Sequence, residues 1–325
     1  MRPRRGWTGV VAAALPGAAL MAFLAPPAGA VAGQAAAPAG AAAGQAAVSS
    51  AVCRSSSHPA LAARIGGDIQ AARRGRVSAV AVGVDDPGVG LVCWLNSSEH
   101  FDSASVVKVT ILGALLRKAE DQHRYLTGTE AALARAMITR SDNNAASALW
   151  AELGRSYLQH FLNVAGMTHT FLGPGGAWGL TQITAYDQVL LLRLLLNQNA
   201  VLDTPSRSYA LSLMAQVIAF QRWGVPAGAP ASLTVHVKNG WLPRATHGWR
   251  IHSIGCFTGH GGGYSIVVLT QDNPTMAYGI TTIEAIARAI NRDLNPAAAI
   301  RVPSSEPSSS WGTPDEHIPA LPNVP

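Results

Sequence analysis

Lysine is almost missing from this chain: Lys108, Lys118 and Lys238 are its only three, against 21 arginines in 325 residues. Charged residues make up 13% of the sequence and aromatic residues 6%. No run of basic residues occurs, and none is interleaved with aromatics, which excludes a nucleic-acid surface. No internal repeat is present, so a solenoid is excluded. No G-x-S-x-G elbow occurs, which argues against a hydrolase built on a histidine triad. His247, His252 and His260 suggest a metal site at first sight. However, i and i+5 point to opposite faces of a strand, and no acid stands at a zincin-like spacing. No metal and no cofactor is expected. Nothing demands a partner chain, so a monomer is expected.

Cysteine is scarce too: Cys53, Cys93 and Cys256. Three thiols allow three single bridges. Cys53 precedes the first helix and Cys93 lies in the second strand, which makes that pair the preferred one. Three buried reduced thiols remain the alternative.

The ends of the chain are simple in composition. Arg2, Arg4 and Arg5, an apolar Ala-rich run and Ala28-Gly29-Ala30 read as a signal peptide over 1–30. A membrane anchor is the competing reading, but Pro16, Gly17, Pro26 and Pro27 interrupt the run. Without those three arginines the formal charge falls from +6 to +3. Residues 31–51 read as an Ala/Gly/Pro-rich linker, and 296–325 as a disordered Pro/Ser-rich tail. The folded part is expected over 52–295, and the protein is expected to be exported.

Within it, helices are expected over 59–74, 105–120 and 184–196, and from Pro205 to Phe220. Thr127-x-x-Glu130 and Thr281-x-x-Glu284 read as capping boxes that open two more. Strands are expected at 76–84, 90–95, 233–238, 249–257 and 264–270. Strands at both ends of the chain must pair across the middle, leaving the central helices as their own layer. The class is α/β (α+β): an antiparallel sheet flanked by helices, plus an all-helical subdomain.

The rarity of lysine gives each one weight. Arginine stays protonated, whereas a buried lysine can lose its proton and act as a base. Lys108 stands three residues after Ser105 at a helix start, so both share a face. The amine can then activate the hydroxyl, and the helix N-terminus adds partial positive charge. Taken singly, this reads equally well as a surface lysine after an N-cap serine, and Ser103 is a second N-cap candidate. Ser141-Asp142-Asn143 lies between two helices, where short polar residues cap ends. Its functional reading makes Ser141 a proton relay and Asn143 a partner of Lys108 or of a substrate amide. Lys238-Asn239-Gly240 ends a β-branched run. There a lysine can bind a carboxylate, and glycine lets a substrate lie against the strand.

In this order the three motifs resemble those of class A β-lactamases and penicillin-binding proteins. The stretch Met137–Ala146 and the segment from Thr184 extend the likeness. The resemblance implies the β-lactamase/transpeptidase-like fold. It implies Ser105 as acylated nucleophile, Lys108 as base and Ser141 as relay. Asn143, Lys238 and Gly240 would bind substrate, and the backbone N–H groups of Ser105 and Trp241 would form the oxyanion hole. The implied partner is a β-lactam or cell-wall peptide.

Three departures stand out. Class A enzymes carry a glutamate on the omega loop, but Leu172–Ile183 has no carboxylate. The only acids between Asn143 and Lys238 are Glu152, Asp187 and Asp203. Deacylation is therefore expected to be slow. Asn239 replaces a hydroxyl residue, and Trp241 follows Gly240. Only 36 positions separate Ser105 from Ser141, which implies a more open cleft. A binding protein that captures β-lactams or cell-wall peptides without hydrolysis is the competing class.

Overall fold

The computed structural model describes residues 52–259 and 262–296. The expected signal peptide and linker lie outside the described residues, as do the tail after Pro296 and the hairpin tip at 260–261. Along the chain come β1 (Cys53–Ser55), α1 (Pro59–Arg73), β2 (Ala79–Asp86), β3 (Leu91–Leu95) and β4 (Phe101–Asp102). Then follow α2 (Val107–Asp121), α3 (Gly128–Thr139), α4 (Asn143–Val164), β5 (Gln182–Ile183), α5 (Ala185–Leu196) and α6 (Thr204–Ala215). The chain closes with β6 (Thr234–Pro243), β7 (Trp249–Gly259), β8 (Gly262–Asn273) and α7 (Met276–Leu294).

Six strands form one sheet in the order β1-β3-β2-β8-β7-β6, with every pairing antiparallel. Strands from the two ends of the chain meet at the β2–β8 pairing, as the split pattern requires. Helices α1 and α7 pack on one face and α5 covers the other. Covered on both sides, β7 and β8 are buried almost throughout; β8 reads as a continuous apolar run over Ile266–Leu269, whereas β7 also buries Arg250, His252 and Ser253. Helices α2, α3, α4 and α6 pack on one another as the helical part. The short ribbon β4–β5 leads into the turn before α2, so the sheet and the helical part meet around residues 102–107.

Local chemistry explains most boundaries. Thr127 and Glu130 close the first capping box: Glu130 N donates to Thr127 Oγ1 at 3.2 Å and Thr127 N to Glu130 Oε2 at 2.6 Å. Helix α4 continues through Gly154, whose φ of 71° makes a kink open only to glycine at low cost. The second expected capping box is not one. Helix α7 starts earlier, where Thr275 Oγ1 accepts from Tyr278 N at 3.1 Å. Thr281 and Thr282 lie inside it and donate back to Tyr278 O. The helix expected to reach Phe220 stops at Ala215, and Ile218 N donates instead to Thr139 O at 3.0 Å. The strand expected at 233–238 runs on to Pro243.

Cys53 and Cys93 sit directly opposite each other in β1 and β3 and are bridged, while Cys256 is a buried free thiol. The bridge spans 40 residues and ties the edge strand β1 to the sheet. Replacing both cysteines with serine should lower stability by about 4 kcal/mol on the loop-closure relation. The denaturant midpoint measures it, and equal midpoints for oxidised and reduced wild type would contradict the expectation.

Candidate active site

Ser105 lies on a single tight turn, Ala104–Val106, between β4 and α2, rather than in the α-helix expected to start there. Ala104 before it has φ 47°, a left-handed conformation that costs a non-glycine residue energy. The turn is tied down from several sides. Ser103 N donates to Thr181 O at 2.8 Å and Val106 N to Ser103 O at 3.1 Å. The Ser103 hydroxyl does not cap α2: it faces the carbonyls of Trp178 and Gly179 at 3.4 Å each.

Lys108, in the first turn of α2, is fully buried. Its Nζ donates to Ser141 O at 2.6 Å and Asn143 Oδ1 at 2.7 Å, and meets Ser141 Oγ at 3.2 Å. It forms no hydrogen bond to Ser105 among the described residues. Side chains at apo catalytic sites often close their hydrogen bonds only around a substrate. Ser141 stands at the α3–α4 junction with φ 59°, the second strained backbone in the site. Asp142 does what a short polar residue does there: its Oδ1 accepts from Ala145 N at 2.8 Å and caps α4. Asn143 opens α4 and turns its amide oxygen to Lys108.

Lys238 comes from β6 and is also fully buried. Its Nζ donates to Ser141 Oγ at 2.9 Å and to Asn239 O at 3.0 Å. One hydroxyl therefore sits between two lysine amines. Asn239 turns its Nδ2 to Gln221 O and Trp223 O, at 2.8 Å each, so the middle residue of the third motif is structural. Gly240 is dictated by space. A Cβ there would stand 2.9 Å from Ser105 N and 3.0 Å from Ser103 O. Strand β6 thus lies flat against the N–H of Ser105. Trp241 follows, half-buried, with its ring 6.2 Å from that of Trp223. Lys118, the third lysine, lies apart beside Glu152, at 3.9 Å.

Burial sets the electrostatics. It is the largest effect on Lys108, followed by the charge of Lys238, and Asp142 opposes both; the amine is pushed down to about 6. Burial alone pushes Lys238 down to about 7. Near neutrality Lys108 is therefore largely uncharged. Its two N–H bonds serve Ser141 O and Asn143 Oδ1, leaving the lone pair for a hydroxyl proton.

The three acids noted in the sequence are all engaged elsewhere. Glu152 pairs with Lys118. Asp203 caps α6 through Ser206 N at 2.8 Å. Asp187 is buried and accepts from His169 N at 2.8 Å and Thr170 Oγ1 at 2.7 Å.

Two neighbours carry more than the sequence suggested. Trp178, from the loop between α4 and α5, places its ring centroid 4.8 Å from Lys108 Nζ. His252, opposite Gly240 in β7, bonds Asp102 O at 2.9 Å through Nε2, while its Nδ1 accepts from Thr270 N at 3.1 Å. That network assigns the neutral tautomer with the proton on Nε2, and burial pushes the imidazole down to about 4. It braces the strand that leads into Ser105. His247 is elsewhere, paired with Asp272 at 2.8 Å, and His260 lies outside the described residues. No group of three His, Cys, Asp or Glu side chains suited to a metal occurs among the described residues.

The model of the beta-lactamase enzyme family matches residues 129–294, more than half of the chain. The chain belongs to that family. The match covers Ser141, Asn143, Lys238 and Gly240 and begins after Ser105 and Lys108. Solved β-lactamases share the fold. A class A enzyme from Bacteroides cellulosilyticus superposes with a TM-score of 0.64 at 19% identity, covering 72% of this chain and 98% of its own. A β-lactamase from Xanthomonas campestris gives 0.62 at 18%, covering 72% and 98%. One from Sphaerobacter thermophilus gives 0.61 at 19%, covering 72% and 97%. No curated protein matches the sequence. The expected fold, an antiparallel sheet with flanking helices and a helical part, is the one this β-lactamase family member has.

Gly240→Ala should push β6 off the Ser105 N–H and slow reaction of Ser105 with a β-lactam probe about 100-fold, the scale of losing one oxyanion donor. Stopped-flow labelling measures this, and an unchanged rate in a folded variant would show that the contact is idle.

Proposed function

We propose that the protein is an exported serine hydrolase acylated at Ser105 by a β-lactam or a D-Ala-D-Ala-like amide, with slow release of the acyl group. What supports this most is the convergence of two buried lysine amines on the hydroxyl of Ser141, one of them from the strand whose Gly240 packs against Ser105 N. Neutral Lys108 takes the Ser105 proton as Oγ attacks the carbonyl carbon. The oxyanion is held by the N–H groups of Ser105 and Trp241. Ser141 passes the proton from Lys108 to the leaving nitrogen, the C–N bond breaks, and an ester on Ser105 remains. Asn143 orients Lys108, and charged Lys238 holds the substrate carboxylate against Gly240.

Release is the weak half. Hydrolysis needs a group to activate water, and no carboxylate hydrogen-bonds Lys108, Ser141 or Lys238 among the described residues. That observation favours a second reading, in which the same cleft captures a β-lactam or cell-wall peptide and keeps it.

Intact mass after incubation with a penicillin should show a persistent adduct. Ser105→Ala and Lys108→Ala should remove it, and Lys238→Ala should weaken capture of carboxylate-bearing substrates. Absence of both an adduct and cephalosporin hydrolysis would sink the acyl-enzyme reading, and fast hydrolysis would refute slow release.

The pH dependence of acylation has a definite sign. The second-order rate should rise as Lys108 loses its proton through about 6. It should fall as Lys238 loses its charge above about 7. A substrate whose carboxylate is esterified should keep the rising limb and lose the falling one. Equal profiles for the two substrates would remove Lys238 from carboxylate binding.

A further inference from the structure

The loop between α4 and α5 is built to hold one ring in one place. It begins under Arg155 of α4, whose guanidinium donates to Gly173 O at 2.7 Å. Gly173 N donates across the loop to Thr181 Oγ1 at 3.1 Å. Trp178 N donates to Gly176 O at 2.8 Å, and Thr181 N returns to Trp178 O at 3.0 Å. From this frame the Trp178 side chain points inward and is 3% exposed. Its Nε1 donates to Ser147 Oγ at 3.0 Å, one turn along α4 from Asn143. Its face meets the amine of Lys108 at 4.8 Å.

A tryptophan that only fills a core stacks on aliphatic groups. This one lies over an amine, where waters would otherwise solvate it. The charges that act on that amine are Lys238 from β6 and Asp142 from the α3–α4 junction, and the ring closes a further side with no charge at all.

We propose that Trp178 is a fixed lid that keeps water from the Lys108 amine and from the ester on Ser105, and that this exclusion makes the acyl adduct long-lived. The part concerning the ester rests on acylation of Ser105; the part concerning the amine does not. Two opposing effects act on Lys108. A ring face stabilises a nearby cation, whereas loss of water disfavours it. The amine is fully buried and bonds only neutral oxygens, so water loss outweighs a ring face at 4.8 Å. Removing the ring should admit water, restore the protonated amine and shorten the life of the ester. Trp178 is thus a positioning residue that acts through Lys108 and solvent.

The scarcity of lysine makes the test direct. With lysine labelled at Cε with carbon-13, the protein gives only three side-chain signals, from Lys108, Lys118 and Lys238. In wild type without substrate, one signal should titrate near 6. In Trp178→Ala its midpoint should rise tenfold or more in proton affinity, and in Trp178→Phe it should stay within threefold. Ser147→Ala, an exposed change that frees the ring without opening the core, should raise it by an intermediate factor. Adduct loss after penicillin should accelerate at least tenfold in Trp178→Ala and about threefold in Ser147→Ala. A Lys108 midpoint that does not move in any variant, with the other two signals native-like, overturns the lid. A midpoint that moves while adduct lifetime stays constant overturns the link to release. If wild type forms no adduct, the acylation reading fails by itself and the titration still decides whether Trp178 shields the amine.

Discussion

Two ammonium-forming side chains buried around one hydroxyl are the constraint on which this structure turns. Neither Lys108 nor Lys238 has a carboxylate partner among the described ion pairs, so neither charge is cancelled in place. Burying an unpaired charge costs several kcal/mol, and the group responds by giving up its proton. The protein uses that response. One amine is largely uncharged near neutrality, while the other is about half charged there. The surrounding polar atoms are arranged to suit: Ser141 O, Asn143 Oδ1 and Asn239 O each accept from an amine. Strain at Ala104 and Ser141 is part of the same arrangement, because both serines must be aimed from backbone positions that ordinary turns do not reach.

Much of this was legible in the sequence, because the informative residues were rare. Three lysines in 325 residues made Lys108 and Lys238 conspicuous, and the structure brings both to Ser141. The strand pattern was legible because valine recurs along β2 and β8 holds the run Ile266–Thr270, both largely buried. What escaped reading depended on long-range packing. Thr281-x-x-Glu284 has the letters of a cap but lies within α7, since Thr275 claims the helix start six residues earlier. The turn at Ser105 is shaped by Thr181 and Trp178, more than 70 residues away. Trp178 drew no reading from the sequence, because no local rule says what a ring will cover. His252 drew notice as a metal candidate and proved to be a brace under the strand that leads into Ser105.

The two edges of the sheet are treated differently. At one, β1 is short and held to β3 by the Cys53–Cys93 bridge. At the other, β6 is ten residues long and ends the strand order. A long unpaired edge is a template for other chains and a standing aggregation hazard. Here the turn that presents Ser105 lies against Gly240, too close for even a methyl group. That contact is on the face of the strand, and side chains claim the edge itself: Arg222 donates to Val235 O at 3.1 Å and Lys238 to Asn239 O at 3.0 Å. Cations along an edge discourage a second chain from pairing there, so losing either one would cost solubility as well as local order.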